Sequence, residues 1–270
     1  MKIYFLTYGD NGFYLSKKHL VYLADSSGLF DEVVSLGPKD LDIRFRKKYK
    51  NILNKSKGGG FWLWKFEIIK NLINQINKND IVIYCDAGAI LNSSEKAIKR
   101  FNDYIEILKE PSVSQLRMKC EKHFIEKNYT NKKLFNYFNI DLNSEIANTT
   151  QLQAGHQFYK KSDETINYFQ EYQNLIEFDA NLITDHYSNE VQIEGFVEHR
   201  HDQSIFSLLS KKYSSHVIDN ETEFRNRADE QYDFPFLSIR SHNHGLKDYL
   251  KFFLDKKSFL SEVKYFHENK

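Results

Sequence analysis

The run Ile81-Val82-Ile83-Tyr84-Cys85-Asp86-Ala87-Gly88 constrains the fold most: an apolar, strand-like stretch that ends abruptly in an acid and a glycine. In an open α/β sheet, ligands gather outside the carboxyl ends of the strands, so this ending places Asp86 where a polar substrate is held. The plain alternative is an aspartate that only opens a turn.

The flanking pattern supplies the rest of such a sheet. Residues 2–7 predict a first strand, broken by the turn cluster Tyr8-Gly9-Asp10-Asn11-Gly12. A helix over 13–24 stops at Asp25-Ser26-Ser27-Gly28, and a short strand over 32–36 is closed by Gly37-Pro38. Strand, helix, strand begins a parallel sheet. Residues 41–53 are basic and helical in pattern, with Arg44, Arg46, Lys47, Lys48 and Lys50 forming either a solvated face or a phosphate-binding one. Beyond the Asp86 strand, Ser94 caps a helix whose Ala97, Phe101, Tyr104, Ile105 and Leu108 share a face, and a strand follows at 112–116. Residues 119–148 are polar, with one helical patch at 134–138, and read as an excursion from the sheet of the kind that shapes acceptor pockets. A strand at 151–159 carries the small residues Ala154 and Gly155, suited to a close approach or to a bulge. A helix spans 162–178 and a last strand 234–239.

Composition excludes several classes. Thirty-eight Lys plus Arg balance 37 Asp plus Glu, so no net field draws the chain to nucleic acid, and any anionic ligand must be met by a local cluster. Two cysteines, Cys85 and Cys120, are too few for a disulfide scaffold. No signal-peptide core and no run of about 18 apolar residues is present, which predicts a soluble, cytoplasmic protein. The 17 Tyr and 22 Phe are mostly core material. Tyr249, Phe252 and Phe253 near the end could instead cover a partner or rest on a membrane surface holding a lipid-linked acceptor.

Two clusters carry chemistry. In Gly58-Gly59-Gly60-Phe61-Trp62-Leu63-Trp64-Lys65 a glycine-rich turn enters a helix, leaving backbone N–H groups free beside a lysine, a place for a diphosphate. It is not a P-loop, because no Gly-Lys-Ser/Thr follows at the required spacing. Trp62, Phe66, Ile69, Ile73 and Ile76 fall on one helical stripe. The second cluster is Glu198-His199-Arg200-His201-Asp202-Gln203-Ser204, where Asp202 suits the N-cap of a helix beginning at Gln203. His199 and His201 lack the partners of a structural zinc site, and the pattern His-x-His recurs at His242 and His244.

Four segments in order, 59–65, 80–88, 151–155 and 199–204, together resemble GT-A-type glycosyltransferases of capsule and lipopolysaccharide gene clusters. The resemblance implies one α/β domain over 1–270: a Rossmann-like, mixed, mostly parallel sheet flanked by helices. Its donor-nucleotide half is 1–118, and its acceptor half is 119–270 with a closing C-terminal segment. It implies transfer of a sugar from a nucleotide-sugar to a saccharide or lipid-linked saccharide, at the cytoplasmic side of a membrane. Asp86 takes the place of the first acid of an Asp-x-Asp motif. The third position is Gly88, so a Mn²⁺ or Mg²⁺ would need Asp86 completed by His242 or His244. Phe66 stands where similar sequences have proline. Thr7, Tyr8, Trp64, Lys65, Asp86, Ala87, Gly88, His201 and Gln203 are expected at the donor, Gly155 and His156 at the acceptor, and Asp202 at the reacting centre. A sugar nucleotidyltransferase and a non-catalytic carbohydrate-binding module are the alternatives. The former usually has a basic glycine-rich loop after its first strand, and Tyr8-Gly9-Asp10-Asn11-Gly12 contains no Lys or Arg.

Overall fold

Side-chain alternation along β3 (Ile81–Asp86) decides the layering. In the computed structural model, which describes residues 1–187, 191–213, 215–223 and 230–238, Val82 and Tyr84 join one apolar cluster and Ile81, Ile83 and Cys85 another. Both faces of the strand are thus covered, as a parallel sheet requires. β1 (Ile3–Tyr8) and β2 (Glu32–Leu36) run parallel to β3 on one side. Besides the two-residue β4 (Ile90–Leu91), the chain adds β5 (Gln115–Met118), β6 (His156–Lys160), β7 (His216–Ile218) and β8 (Phe236–Leu237). The main sheet has the order β2-β1-β3-β6-β5-β7, with β6 alone reversed, and β4 pairs with β8. The expected mixed, mostly parallel sheet is what forms.

Helices α2 (Trp64–Gln75), α5 (Asp163–Phe178) and α6 (Asp202–Lys212) cover one face through Phe66, Ile69, Tyr172 and Phe206. On the other, α1 (Tyr14–Ser27) and α3 (Glu95–Lys109) bury Leu20, Phe101, Tyr104 and Leu108. Each large apolar side chain so buried contributes roughly 1.5–3 kcal/mol. Ser94 caps α3 by accepting the Ala97 N–H, as its position predicts. The short α4 (Lys132–Phe138) lies in the excursion, where a helical patch was expected.

Several sequence expectations need correction. Residues 110–113 form a turn closed by the Val113 N–H to the Glu110 carbonyl, so the strand expected from 112 begins at Gln115. Of the strand expected over 151–159, His156–Lys160 pairs with β3 and β5, while 151–153 form only an isolated bridge at the end of β5, with the Gln153 N–H donating to the Met118 carbonyl and the Cys120 N–H to the Gln151 carbonyl, both at 2.8 Å. The basic segment breaks at Tyr49 into Ile43–Lys48 and Lys50–Leu53, with all five named cations exposed. Trp62 lies ahead of α2 rather than on its stripe.

That last point follows from the three glycines. Gly58, Gly59, Gly60, Phe61 and Trp62 have φ of 58°, 56°, 99°, 55° and 58°, a left-handed turn in which each non-glycine residue costs about 1–2 kcal/mol. A Cβ on Gly60 would stand 2.6 Å from the Leu53 Cα. Gly60→Ala is therefore expected to destabilise the protein by about 3 kcal/mol in denaturant unfolding. An unchanged unfolding midpoint would show that this turn relaxes freely.

Candidate active site

The reversed strand builds the site. Because β6 runs against β3, its N-terminal end meets the carboxyl end of β3, and the Asp86 N–H donates to the Gly155 carbonyl at 2.8 Å. Asp86 Oδ2 would lie 3.2 Å from a Cβ on Gly155, so a glycine leaves that oxygen its space. Gly155→Ala is expected to shift the carboxylate by a few tenths of an ångström and cut turnover about tenfold with folding intact. Full turnover in that variant would show that Asp86 needs no fixed position.

Lys65, in the first turn of α2, is buried and joins two acids. Its Nζ lies 3.1 Å from Asp86 Oδ1 and 2.7 Å from Asp202 Oδ2, and it donates to the Ala154 carbonyl at 3.2 Å. Tyr84 donates its hydroxyl to Asp86 Oδ1 at 2.6 Å. Burial pulls the Lys65 pKa down, but attraction to Asp202 and Asp86 more than offsets it and the net shift is upward. Asp202 shows the opposite balance. Burial pushes its pKa up to about 6 despite Lys65 and the Gln203 N–H, which favour its charged form. Lys65, expected at the diphosphate, lines the cavity with its charge shared between two carboxylates.

Asp202 was expected as an N-cap. The cap position belongs to His201, and Asp202 is the first helical residue. His201 adopts φ 53° and ψ −121°, a strained conformation for a residue with a Cβ, of a kind that clusters at functional sites. Its ring is fixed by Nδ1 against the Ile183 carbonyl at 2.8 Å and by Phe61 and Trp62, with centroids at 5.0 and 5.7 Å. The left-handed glycine turn thus supports the strained residue that aims Asp202 at Lys65. His199 is satisfied on both ring nitrogens, toward the Asn131 N–H and the Leu182 carbonyl, and so anchors structure.

These groups share a cavity of about 620 Å³, within the usual range for small-molecule sites. Tyr8, Trp64, Lys65, Asp86, Ala87, Gly88, Gly155, His156, His201, Asp202 and Gln203 all line it. Tyr8 stacks on Trp64 with centroids 3.8 Å apart, making an aromatic wall at the β1 end. Burial lowers the His156 pKa to about 4, so its imidazole is neutral near pH 7. Thr7 is the exception. It is fully buried and does not line the cavity, because alternation turns it to the face opposite Tyr8. His242 and His244 lie outside the described residues, as do Tyr249, Phe252 and Phe253. Among the described residues no three His, Cys, Asp or Glu side chains converge as a metal cluster, and Asp86 is the one metal candidate placed in the cavity.

The cavity also contains Asp10, Lys57, Phe124 and Arg200, which the sequence left unassigned. Arg200 sits inside the quoted 198–204 cluster, and Phe124 comes from the excursion expected to shape an acceptor pocket. Asp10 was read only as part of a turn.

No family model matches the chain, and no curated protein matches its sequence. Solved structures do. The bifunctional glycosyltransferase WbbM is similar with a TM-score of 0.51 at 11% identity, over 98% of this chain and 51% of that one. A glycosyltransferase involved in glycosylation of the major capsid of PBCV-1 aligns at 0.49 and 10% identity, over 94% of this chain and 100% of that one. GlyE of Streptococcus pneumoniae TIGR4 aligns at 0.47 and 13% identity, over 99% and 64%. The chain has the single-domain, mixed α/β fold of GT-A glycosyltransferases.

Proposed function

We propose that this protein is a glycosyltransferase that moves a sugar from a nucleoside-diphosphate sugar to a hydroxyl of a saccharide acceptor. The observation that carries the reading is the buried Lys65 holding Asp86 and Asp202 together at the carboxyl edge of the sheet, on the wall of the cavity. Residues 1–118 serve the donor: the Tyr8–Trp64 wall meets the nucleotide, and Asp86 meets the ribose or a metal-bridged diphosphate. Residues 119–270 serve the acceptor through Gly155 and His156. A Mn²⁺ or Mg²⁺ on the diphosphate would be held by Asp86 with His242 or His244, and would neutralise charge on the leaving group.

In transfer, the bond from the anomeric carbon to the diphosphate oxygen breaks and the acceptor oxygen bonds to that carbon. The acceptor proton must then leave. A carboxylate with a pKa near 6 is suited to take it, which makes Asp202 the base in an inverting reaction; in a retaining one it stabilises positive charge on the ring. The acceptor belongs to capsule or lipopolysaccharide assembly, and a lipid-linked form would bring the enzyme to a membrane surface. No described helix is long and apolar enough to cross a membrane.

A thermal-shift panel of nucleoside diphosphates and their sugars tests this reading, with released nucleoside diphosphate measured alongside. One nucleotide-sugar should raise the unfolding temperature and be slowly hydrolysed. A nucleotidyltransferase would instead turn over a nucleoside triphosphate with a sugar phosphate, and a carbohydrate-binding module would ignore the nucleotides.

A further inference from the structure

Among the described residues three Lys and Arg side chains line the cavity, and two are paired with carboxylates. Lys57 pairs with Asp185 at 3.1 Å, and Lys65 with Asp86 and Asp202. Arg200 has no carboxylate partner among the described residues. Its guanidinium is stacked over Phe124, 4.1 Å from the ring centroid. Its backbone is also fixed, since the Arg200 N–H donates to the Ser204 hydroxyl at 3.1 Å and to the Tyr129 carbonyl at 3.2 Å. A half-buried cation paired with no described carboxylate is suited to receive an anion, with Glu198 and Glu223 lining the same cavity.

Its place along the sheet edge says which anion. Tyr8 ends β1, Asp86 ends β3, Gly155 precedes β6 and Cys120 follows β5, the strand beyond. Arg200 stacks on Phe124, whose carbonyl accepts the Gln151 N–H at 2.7 Å, and the Gln151 carbonyl accepts the Cys120 N–H at 2.8 Å, which puts the guanidinium at the β5 end. At about 4.8 Å per strand, that end is roughly 14 Å from the Tyr8–Trp64 wall. The Tyr8–Trp64 wall, proposed for the nucleotide, and Arg200 are therefore on opposite sides of Asp86. We propose that Arg200, held by Phe124, is the specificity-determining residue for an acceptor saccharide carrying a carboxylate or a phosphate. This rests on the transferase reading for the word acceptor, though the anion subsite itself can be measured without a donor.

The test uses the full chain with glucose, glucuronate and glucose 6-phosphate, and with the matching galactose set, titrated calorimetrically into wild type, Arg200→Gln, Arg200→Lys and Phe124→Leu. At least one acidic sugar should bind about tenfold or more tightly than its neutral counterpart, an advantage erased in Arg200→Gln and partly kept in Arg200→Lys. The stronger acidic arm identifies carboxylate or phosphate. Phe124→Leu should weaken the same preference, which keeps the test decisive if Arg200→Gln folds poorly. Equal or undetectable binding of all these sugars would overturn the proposal. So would Arg200→Gln losing affinity for a nucleoside diphosphate while sugar discrimination persists, since Arg200 would then serve the donor. Binding of acidic sugars with no response to any nucleotide-sugar would instead retain the anion subsite and remove the transferase reading.

Discussion

Lys65→Met is expected to lower the unfolding free energy by about 3–5 kcal/mol and to abolish turnover, because it leaves Asp202 buried without its cation and facing Asp86. Methionine fills the volume, so the loss is electrostatic rather than a cavity effect. The pH dependence separates the two. Lys65 has a folded pKa above its ordinary value, so its stabilising contribution is fully present at neutral pH and would be lost only in alkali. In the variant the acids repel only while both are ionised. Without Lys65, which holds the Asp202 pKa down, that acid takes up its proton above the wild-type value of about 6, so the deficit should be smaller at pH 5 than at pH 8. Urea unfolding at pH 5 and pH 8 measures this. A variant within 1 kcal/mol of wild type at pH 8, on the scale of an exposed ion pair, would show that the cluster is not the organising element of the site.

Asp202→Asn should act differently. Transfer is expected to fall about 10²-fold or more while the nucleotide still binds, because the amide keeps the shape but cannot accept the proton. Stability should move the other way at high pH. A carboxylate whose folded pKa is raised from 3.8 to about 6 contributes stability below its unfolded pKa and loses it as pH rises through 6. Keeping Asp202 ionised at pH 8 thus costs the fold about 3 kcal/mol, part of which the asparagine recovers. Wild-type activity should show an acid limb near pH 6 that is absent from the residual activity of the variant. Unaltered transfer, or an acid limb that survives the substitution, would remove Asp202 from the chemistry.

The fold was largely legible because its signals are local. Alternation and turn residues mark β1, β2 and β3, and Ser94 and Ser162 mark helix starts that the structure caps as expected. The strand boundary at 112 was misplaced by a local turn from Glu110 to Val113, and that at 151 because residues 151–153 only bridge the end of β5, a pairing set by residues far along the chain. In the site, Asp86, Lys65 and Asp202 were each identifiable by position, yet nothing in their spacing reveals that Lys65 binds both acids. That follows from α2 and α6 packing on one face of the sheet with their first turns beside the carboxyl end of β3. Thr7 was named for the donor together with Tyr8, but neighbouring residues of a strand face opposite sides and only Tyr8 lines the cavity. The strain at Phe61, Trp62 and His201 was invisible, because it is tertiary packing that holds these non-glycine residues at positive φ.

The most direct measurement of the central claim is single-turnover release of nucleoside diphosphate from the nucleotide-sugar that stabilises the protein, followed in wild type and Asp202→Asn between pH 5 and 8. Wild type should release it with a rate that rises through about pH 6 and levels off, while the variant binds with similar affinity and releases it at least about 100-fold more slowly. Equal release by the two proteins, or tight binding with no release by wild type, would contradict the assignment of the Lys65–Asp86–Asp202 cluster to sugar transfer.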